Sequence, residues 1–294
     1  RANANFQISG LQAYWSFAEA ICNIKMAAAR INPIEKKIRD AILKAGEEFL
    51  AGKVDFDLDA YQAGAGTPFN MHLNEILANR AGEILGGKKG EYKFVHPNDH
   101  VNMSQSSNDV IPTAIRLAAI KDLASLSNAL KNLIKSFEKK EKALMKVMKC
   151  GRTHLQDAVP ISLGQEFGGY KAALISCEKQ IQNAREDLLE LGIGGTAIGS
   201  GINTPKDFSK KMCSELSKVY AVKLRPAKNL FQKTNSMNSF LLLSSAMRSL
   251  AVELLRISND LRMMASGPVA GFNELILPEV EPGSSIMPGK VNPS

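Results

Sequence analysis

Four polar segments in this chain carry residue types that could do chemistry, and each sits at the end of a helical run. They are Gly64-Ala65-Gly66-Thr67-Pro68-Phe69-Asn70, Ser104-Gln105-Ser106-Ser107-Asn108-Asp109, Gly151-Arg152-Thr153-His154-Leu155-Gln156-Asp157, and Gly283-Ser284-Ser285-Ile286-Met287-Pro288-Gly289-Lys290-Val291-Asn292-Pro293. Their shared chemistry is anion binding. Hydroxyls at a helix N-terminus, beside backbone N–H groups that the helix leaves free, can hold a carboxylate. The second segment fits that description, although capping alone explains one of its hydroxyls. In the fourth, Lys290 adds a point charge and Asn292 an amide. Its Gly283, Gly289 and two prolines suit a loop that closes over a substrate. A polar surface loop is the plain alternative for each segment.

Other constellations carry less. Gly192-Ile193-Gly194-Gly195-Thr196-Ala197 matches GxGxxA, but a dinucleotide-binding turn needs a strand before it and a helix opening within it. Ala184 to Leu191 reads as helical, so a glycine-rich connection between bundle helices is expected instead. His96 and His100 stand four apart, as helical zinc ligands do, yet Pro97 and Asn98-Asp99 between them favour a turn and loop histidines. The sequence contains no HExxH, GxSxG or Walker P-loop. Cys22, Cys150, Cys177 and Cys213 form no CxxC pair, so free thiols in a reducing cytoplasm are expected, with no metal site.

The elements that must position these segments are mostly helices. The spacing predicts helices over Leu11–Asn32, Pro33–Leu50 and Pro68–Leu85, followed by a loop to about Gln105. From Asn108 helical periodicity continues almost to Cys150, with Val110, Ala114, Ala118, Leu123, Leu130 and Phe137 on one apolar stripe. Two more long patterns run from Leu163 to Leu191 and from about Thr234 to Ala265. Strand-like alternation is nearly absent. The fold class is therefore mainly α, a long-helix bundle. Hydrophobic residues make up 45% of the 294 positions, which excludes a disordered chain, and no run of about 18 apolar residues suggests a membrane span. The +8 net charge is dispersed, and its densest run, Lys139-Lys140-Glu141-Lys142, reads as a solvated helix face, so nucleic acid is not an expected partner.

Taken together, the four segments resemble the aspartase/fumarase superfamily. The run Gly283 to Pro293 is similar to its signature, and Ser104–Asp109 and Gly151–Asp157 resemble two further family segments in order and spacing. The resemblance covers about Asn5 to Pro293. It implies an N-terminal helical domain over 1–107 and a central long-helix domain over 108–294 that carries the signature loop 283–293. It also implies a homotetramer whose active sites are each shared between three subunits, and a chain truncated at its C-terminus.

The implied reaction is anti elimination from a succinyl-type dicarboxylate to give fumarate, with no metal or organic cofactor. Ser284 would act as general base on the Cβ proton, passing through an aci-carboxylate. Thr67, Ser106, Ser107 and Ser285 would hold the carboxylate that becomes the aci-acid, and Lys290 and Asn292 the other. Thr153, Asn108 and His154 would sit near the leaving group, with His154 the mobile-proton candidate. Asn5–Gly10, His96–Asn102, Gly201–Lys206 and Gly271–Glu274 look aspartase-like. Ser106-Ser107-Asn108 and Gly194-Gly195-Thr196 look more like fumarase, and Val269 departs from the arginine frequent in both. The balance favours aspartate ammonia-lyase activity on L-aspartate, with fumarate hydratase the alternative and a non-catalytic helical interaction protein a remote one.

Overall fold

The computed structural model describes residues 8–292. Its contacts divide into two compact units, one of 8–127 with Asn183–Leu241 and one of Asn128–Gln182 with 242–292. In chain order the elements are α1 (Trp15–Ile31), α2 (Lys36–Leu50), α3 (Thr67–Ile84), α4 (Ser107–Leu144), β1 (Met148–Thr153), β2 (Gln156–Ser162), α5 (Leu163–Leu188), β3 (Glu190–Leu191), α6 (Phe208–Tyr220), β4 (Arg225–Pro226), α7 (Leu230–Asn235) and α8 (Asn238–Met264). A single π-helical turn, Pro97–Val101, precedes α4. The chain is mainly helical, and its three long helices lie where the periodicity places them.

The first unit is built around α1. This helix is apolar on nearly every side, and Ala18, Ala20, Ile21, Cys22, Ile24, Ala27 and Ala28 are all fully buried. A helix of that composition has no face to give to water, so it lies inside. Its small side chains let α2, α3 and α6 pack against it. Phe49 of α2 stacks on Trp15 with ring centroids 5.3 Å apart and meets Phe56 edge-on, closing the end of this core. The short strands β3 and β4 pair in parallel.

The second unit takes the later part of α4, the earlier part of α5, most of α8 and an antiparallel hairpin of β1 and β2. Phe137, Phe167 and Tyr170 form a cluster with centroids 5.8 to 6.0 Å apart. Ser162 caps α5 reciprocally. Its Oγ accepts from the Gln165 N–H, and Gln165 Oε1 accepts from the Ser162 N–H. Gly164 lies in the first turn of α5, where a Cβ would fall 2.5 Å from the Glu141 carbonyl, so only glycine allows this approach.

Several sequence expectations need correction. α4 ends at Leu144, and the stretch after it forms the hairpin, which went unseen because Gly151 and Pro160 interrupt any alternation. α5 stops at Leu188, where Glu190 and Leu191 become a strand. The third long helix is broken at Ser236, whose backbone is extended (ψ 126°). α6 was not anticipated. Among the described residues, no helix is long and apolar enough to cross a membrane.

Candidate active site

In the first unit, the starts of α3 and α4 carry Thr67 and the Ser106–Asn108 segment. Ser106 is the N-cap of α4, and its Oγ accepts from the Asn108 N–H at 3.2 Å. Asp109 reaches back to accept from the Ser106 N–H at 2.9 Å. This is a capping box with aspartate in the acidic position, and it leaves the Ser107 hydroxyl outside the cap. Asn70, in the first turn of α3, donates through Nδ2 to Ser107 Oγ at 3.0 Å. The first turns of α3 and α4 are thereby linked, with Thr67 exposed and Ser106 and Ser107 half-buried. Gly66 precedes Thr67 in the left-handed region (φ 71°), and a Cβ there would lie 2.9 Å from two Ile111 side-chain carbons.

Beneath this edge lies a charge that the sequence reading passed over. Lys25 of α1 is 0% exposed, and its Nζ donates to Asn102 Oδ1 at 2.8 Å and Gln105 Oε1 at 3.0 Å. Asn102 Oδ1 also accepts from Asn70, so one ammonium supports both helix starts. Burial pulls the Lys25 ammonium down to about 7, against the charge of Asp109. Burial likewise pushes the Asp109 carboxyl up to about 6, opposed by N–H groups of Ser106, Thr196 and Gly194 and by Lys25. The signal was available: a lone lysine in Ile24-Lys25-Met26-Ala27-Ala28-Ala29, where every neighbour is apolar.

The glycine-rich run has a structural task here. The N–H groups of Gly194 and Thr196 donate to Asp109 Oδ2 at 3.0 and 2.9 Å, and Asn108 Nδ2 donates to the Ala197 carbonyl at 2.8 Å. A two-residue strand does precede it, but turns follow and no helix opens within it. A cleft of about 490 Å³ lies between this run and the α4 start, lined by Asn98, Ser104, Ser106, Thr196 and Asn203. His96 accepts through its side chain from the Asn98 and Asp99 N–H groups, and His100 Nδ1 accepts from the His96 N–H. Both histidines therefore serve the turn.

In the second unit, Thr153 and His154 occupy the hairpin tip. His154 (φ 50°) and Leu155 (φ 61°) are both left-handed, the conformation of a two-residue type I′ turn, which normally selects Asn and Gly. Holding His and Leu there costs about 1–2 kcal/mol each, and such strain tends to mark functional sites. The tip borders a cleft of about 530 Å³ lined also by Lys149, Arg152, Glu166 and Met264.

The same unit holds the signature loop. Ser284 Oγ accepts from the N–H groups of Ile286 and Met287 at 3.2 and 3.0 Å. Two N–H dipoles directed at one hydroxyl oxygen would favour its anion. Asn292 Nδ2 donates to the Gly283 carbonyl at 2.7 Å and closes the loop. Ser285 and Lys290 are exposed on its outside. Pro293 lies outside the described residues. Among these residues, no group of three His, Cys, Asp or Glu side chains is arranged to hold a metal ion.

A mainly helical chain with helix-end hydroxyls and a serine turned toward N–H donors defines a class, and comparison with known proteins gives the same class. The family model described as lyase matches residues 1–294, and the chain belongs to the aspartase/fumarase superfamily. Fumarate hydratase class II of Rhizobium meliloti (strain 1021) is 46% identical, over 100% of this chain and 65% of that protein. Fumarate hydratase class II of Campylobacter jejuni subsp. jejuni is also 46% identical at the same coverages. Among solved structures, a recombinant class II fumarase from Schistosoma mansoni superposes with a TM-score of 0.95 at 38% identity, covering 100% of this chain and 66% of that one. A fumarate lyase:delta crystallin from Brucella melitensis in native form gives 0.91 at 41% identity, covering 100% and 68%. The chain spans about 65% of the length of these curated relatives.

These relatives overturn the expectation of an aspartate ammonia-lyase. His100, which leaned toward aspartase, accepts a backbone N–H within a turn. Thr204, in another such stretch, bonds to the Gly201 carbonyl. Asn5–Gln7 lie outside the described residues. Ser107, which leaned the other way, is the residue placed at the candidate site.

Proposed function

We propose that this chain is part of a fumarate hydratase, interconverting L-malate and fumarate by anti elimination and addition of water. The observation that carries the reading is the Ser284 hydroxyl receiving two backbone N–H groups, in a chain whose relatives at 44 to 46% identity are named fumarate hydratase class II. Ser284, as its alkoxide, takes the Cβ proton of malate, and the electron pair moves into the adjacent carboxylate to give the aci-form. Collapse of that form expels the Cα hydroxyl, which leaves as water with a proton supplied from the side of His154. Thr67, Ser106, Ser107 and Ser285 hold the carboxylate that becomes the aci-acid, and Lys290 and Asn292 hold the other. Thr153 and Asn108 stand with His154 near the departing hydroxyl.

No cofactor enters this mechanism. From the family architecture, we take 1–107 as an N-terminal domain, 108–294 as part of a central one, and the assembly as a cytoplasmic homotetramer with sites shared between three subunits. The test uses the complete protein. Fumarate is followed by its ultraviolet absorbance from L-malate, with L-aspartate in parallel. L-Malate turnover is expected, and Ser284→Ala should lower kcat about 10²–10⁴-fold, the usual worth of a general base. Failure to turn over L-malate, or full activity in Ser284→Ala, would sink the assignment.

A further inference from the structure

Lys149, Arg152, Glu166 and Glu274 form an ionic cluster in the second unit that the mechanism above does not use. Lys149 Nζ lies 2.6 Å from Glu166 Oε2 and 2.8 Å from Glu274 Oε2, with its side chain only 8% exposed. Arg152 grips the same Glu274 with two nitrogens, Nη2 to Oε1 at 2.5 Å and Nη1 to Oε2 at 3.2 Å. The Arg152 guanidinium also lies 4.1 Å from the centroid of the Phe272 ring. A planar fork matched to a carboxylate and stacked on an aromatic face has little freedom left to swing. Arg152 and Lys149 together hold the Glu274 carboxyl below its ordinary range against the effect of its burial.

The backbone on the far side is held as well. The Glu274 N–H donates to the Met264 carbonyl at 2.8 Å and the Asn273 N–H to the Ser266 carbonyl at 2.7 Å, pinning this segment to the end of α8. Beyond it the chain is largely exposed, with Ile276 at 94%, and it reaches Ser284 ten residues on. On the other partner, Arg152 stands two residues before His154, with Thr153 and Gln156 paired across the intervening turn. One carboxylate therefore joins the strand that presents His154 to the root of the loop that presents Ser284.

We propose that Glu274 is a positioning residue for the reaction, tying the His154 hairpin to the root of the signature loop through Arg152 and Lys149. The inference rests on the roles assigned above to His154 and Ser284. It holds whether these groups of one chain serve the same site or, as in the shared-site tetramer, different ones. A cluster that only supported folding would affect stability and leave turnover per folded molecule unchanged.

The experiment compares complete wild-type protein with Glu274→Gln, Glu274→Asp and Arg152→Lys. Misplacement of reacting groups by about 1 Å costs about 10²-fold. We therefore expect Glu274→Gln to lower kcat by about that factor while KM for L-malate changes by no more than about threefold. Glu274→Asp keeps the anion and should recover part of the loss. Arg152→Lys keeps the charge but loses the fork, and should repeat the fall in kcat even if Glu274→Gln does not fold. Trypsin cleavage after Lys290 should be faster in Glu274→Gln than in wild type, with sedimentation and far-ultraviolet circular dichroism unchanged. Wild-type kcat and cleavage rate in the folded variants would overturn the proposal. So would a loss confined to thermal stability. The cleavage comparison needs no turnover, so an inactive wild type would refute the hydratase reading and still leave the tether decided.

Discussion

Lys25 is a residue whose placement packing alone does not explain. Burying an ammonium is costly unless polar groups meet it, and here amide oxygens of Asn102 and Gln105 do so directly beneath Ser106 and Ser107. The unfolded chain would titrate this lysine near its ordinary 10.5, the folded chain near 7. Below pH 7 both states carry the proton, and the penalty for burying the charge is present in full. Between pH 7 and 10.5 the unfolded state binds more protons, so this residue makes stability rise with pH through that window. Asp109 works in the opposite sense at lower pH. Its carboxyl is raised to about 6, so its contribution falls as pH rises from about 3.8 to 6. Chemical unfolding of wild type and Lys25→Met at intervals from pH 7 to 10 isolates the lysine. Wild type should gain on the variant across that range, and a constant difference would refute the assignment.

At the scale of elements, the candidate site depends on how helices begin. Ser106 and Asp109 cap α4 reciprocally, which sets Ser107 at the first helical position and hands it to Asn70. The start of α3 depends on Gly66, both for its left-handed φ and for its approach to Ile111. In Gly66→Ala the αL conformation costs about 1–2 kcal/mol and the forced contact with Ile111 about 1–3 kcal/mol. Urea unfolding of this variant should show a lower midpoint at unchanged m. KM for L-malate should rise, because the same shift displaces Thr67. Wild-type stability and KM together would show that the turn accommodates a side chain after all. The hairpin is the complementary case, an element with a left-handed tip at His154 and Leu155 and an ionic cluster on the strand beside it.

For the whole molecule, the chain leaves apolar side chains in water along one long helix. Leu241, Leu242, Met247, Val252 and Leu255 of α8 are all exposed, by 45 to 65%, and burying what remains in water would contribute about 1 kcal/mol or a little more each. The homotetramer proposed from the family offers such burial, since central helices of several copies would meet. Val252→Asp combined with Leu255→Asp should therefore sediment as a smaller species than wild type and lose activity with assembly. An unchanged sedimentation coefficient would remove α8 from the interface. The net charge of +8 belongs to a sequence spanning about 65% of its relatives' length, so it does not describe their whole-protein charge.

By itself the sequence determined the helical class, the three long helices and the two polar segments at the starts of α3 and α4. Each of these rests on short-range regularities, 3.6-residue periodicity, capping side chains and a dense run of donors, which recur within a few residues of one another. Gly151–Asp157, also expected at a helix end, lies in the β1–β2 hairpin, and 283–292 lies in a loop well past the end of α8. The sequence also contained the serines of the fumarase form, but set against them the stretches Asn5–Gly10, His96–Asn102, Gly201–Lys206 and Gly271–Glu274, a balance that the relatives overturn. Only the tertiary structure decided the β1–β2 hairpin, the support of Ser106 and Ser107 by Lys25, and the grip of Arg152 on Glu274 across 122 residues. The hairpin is local but hidden by Gly151 and Pro160; the other two depend on which distant groups come to share a space poor in water, where an unmatched charge is expensive and a matched one is held in place. A window along the chain can show that Lys25 needs partners, but packing chooses which ones.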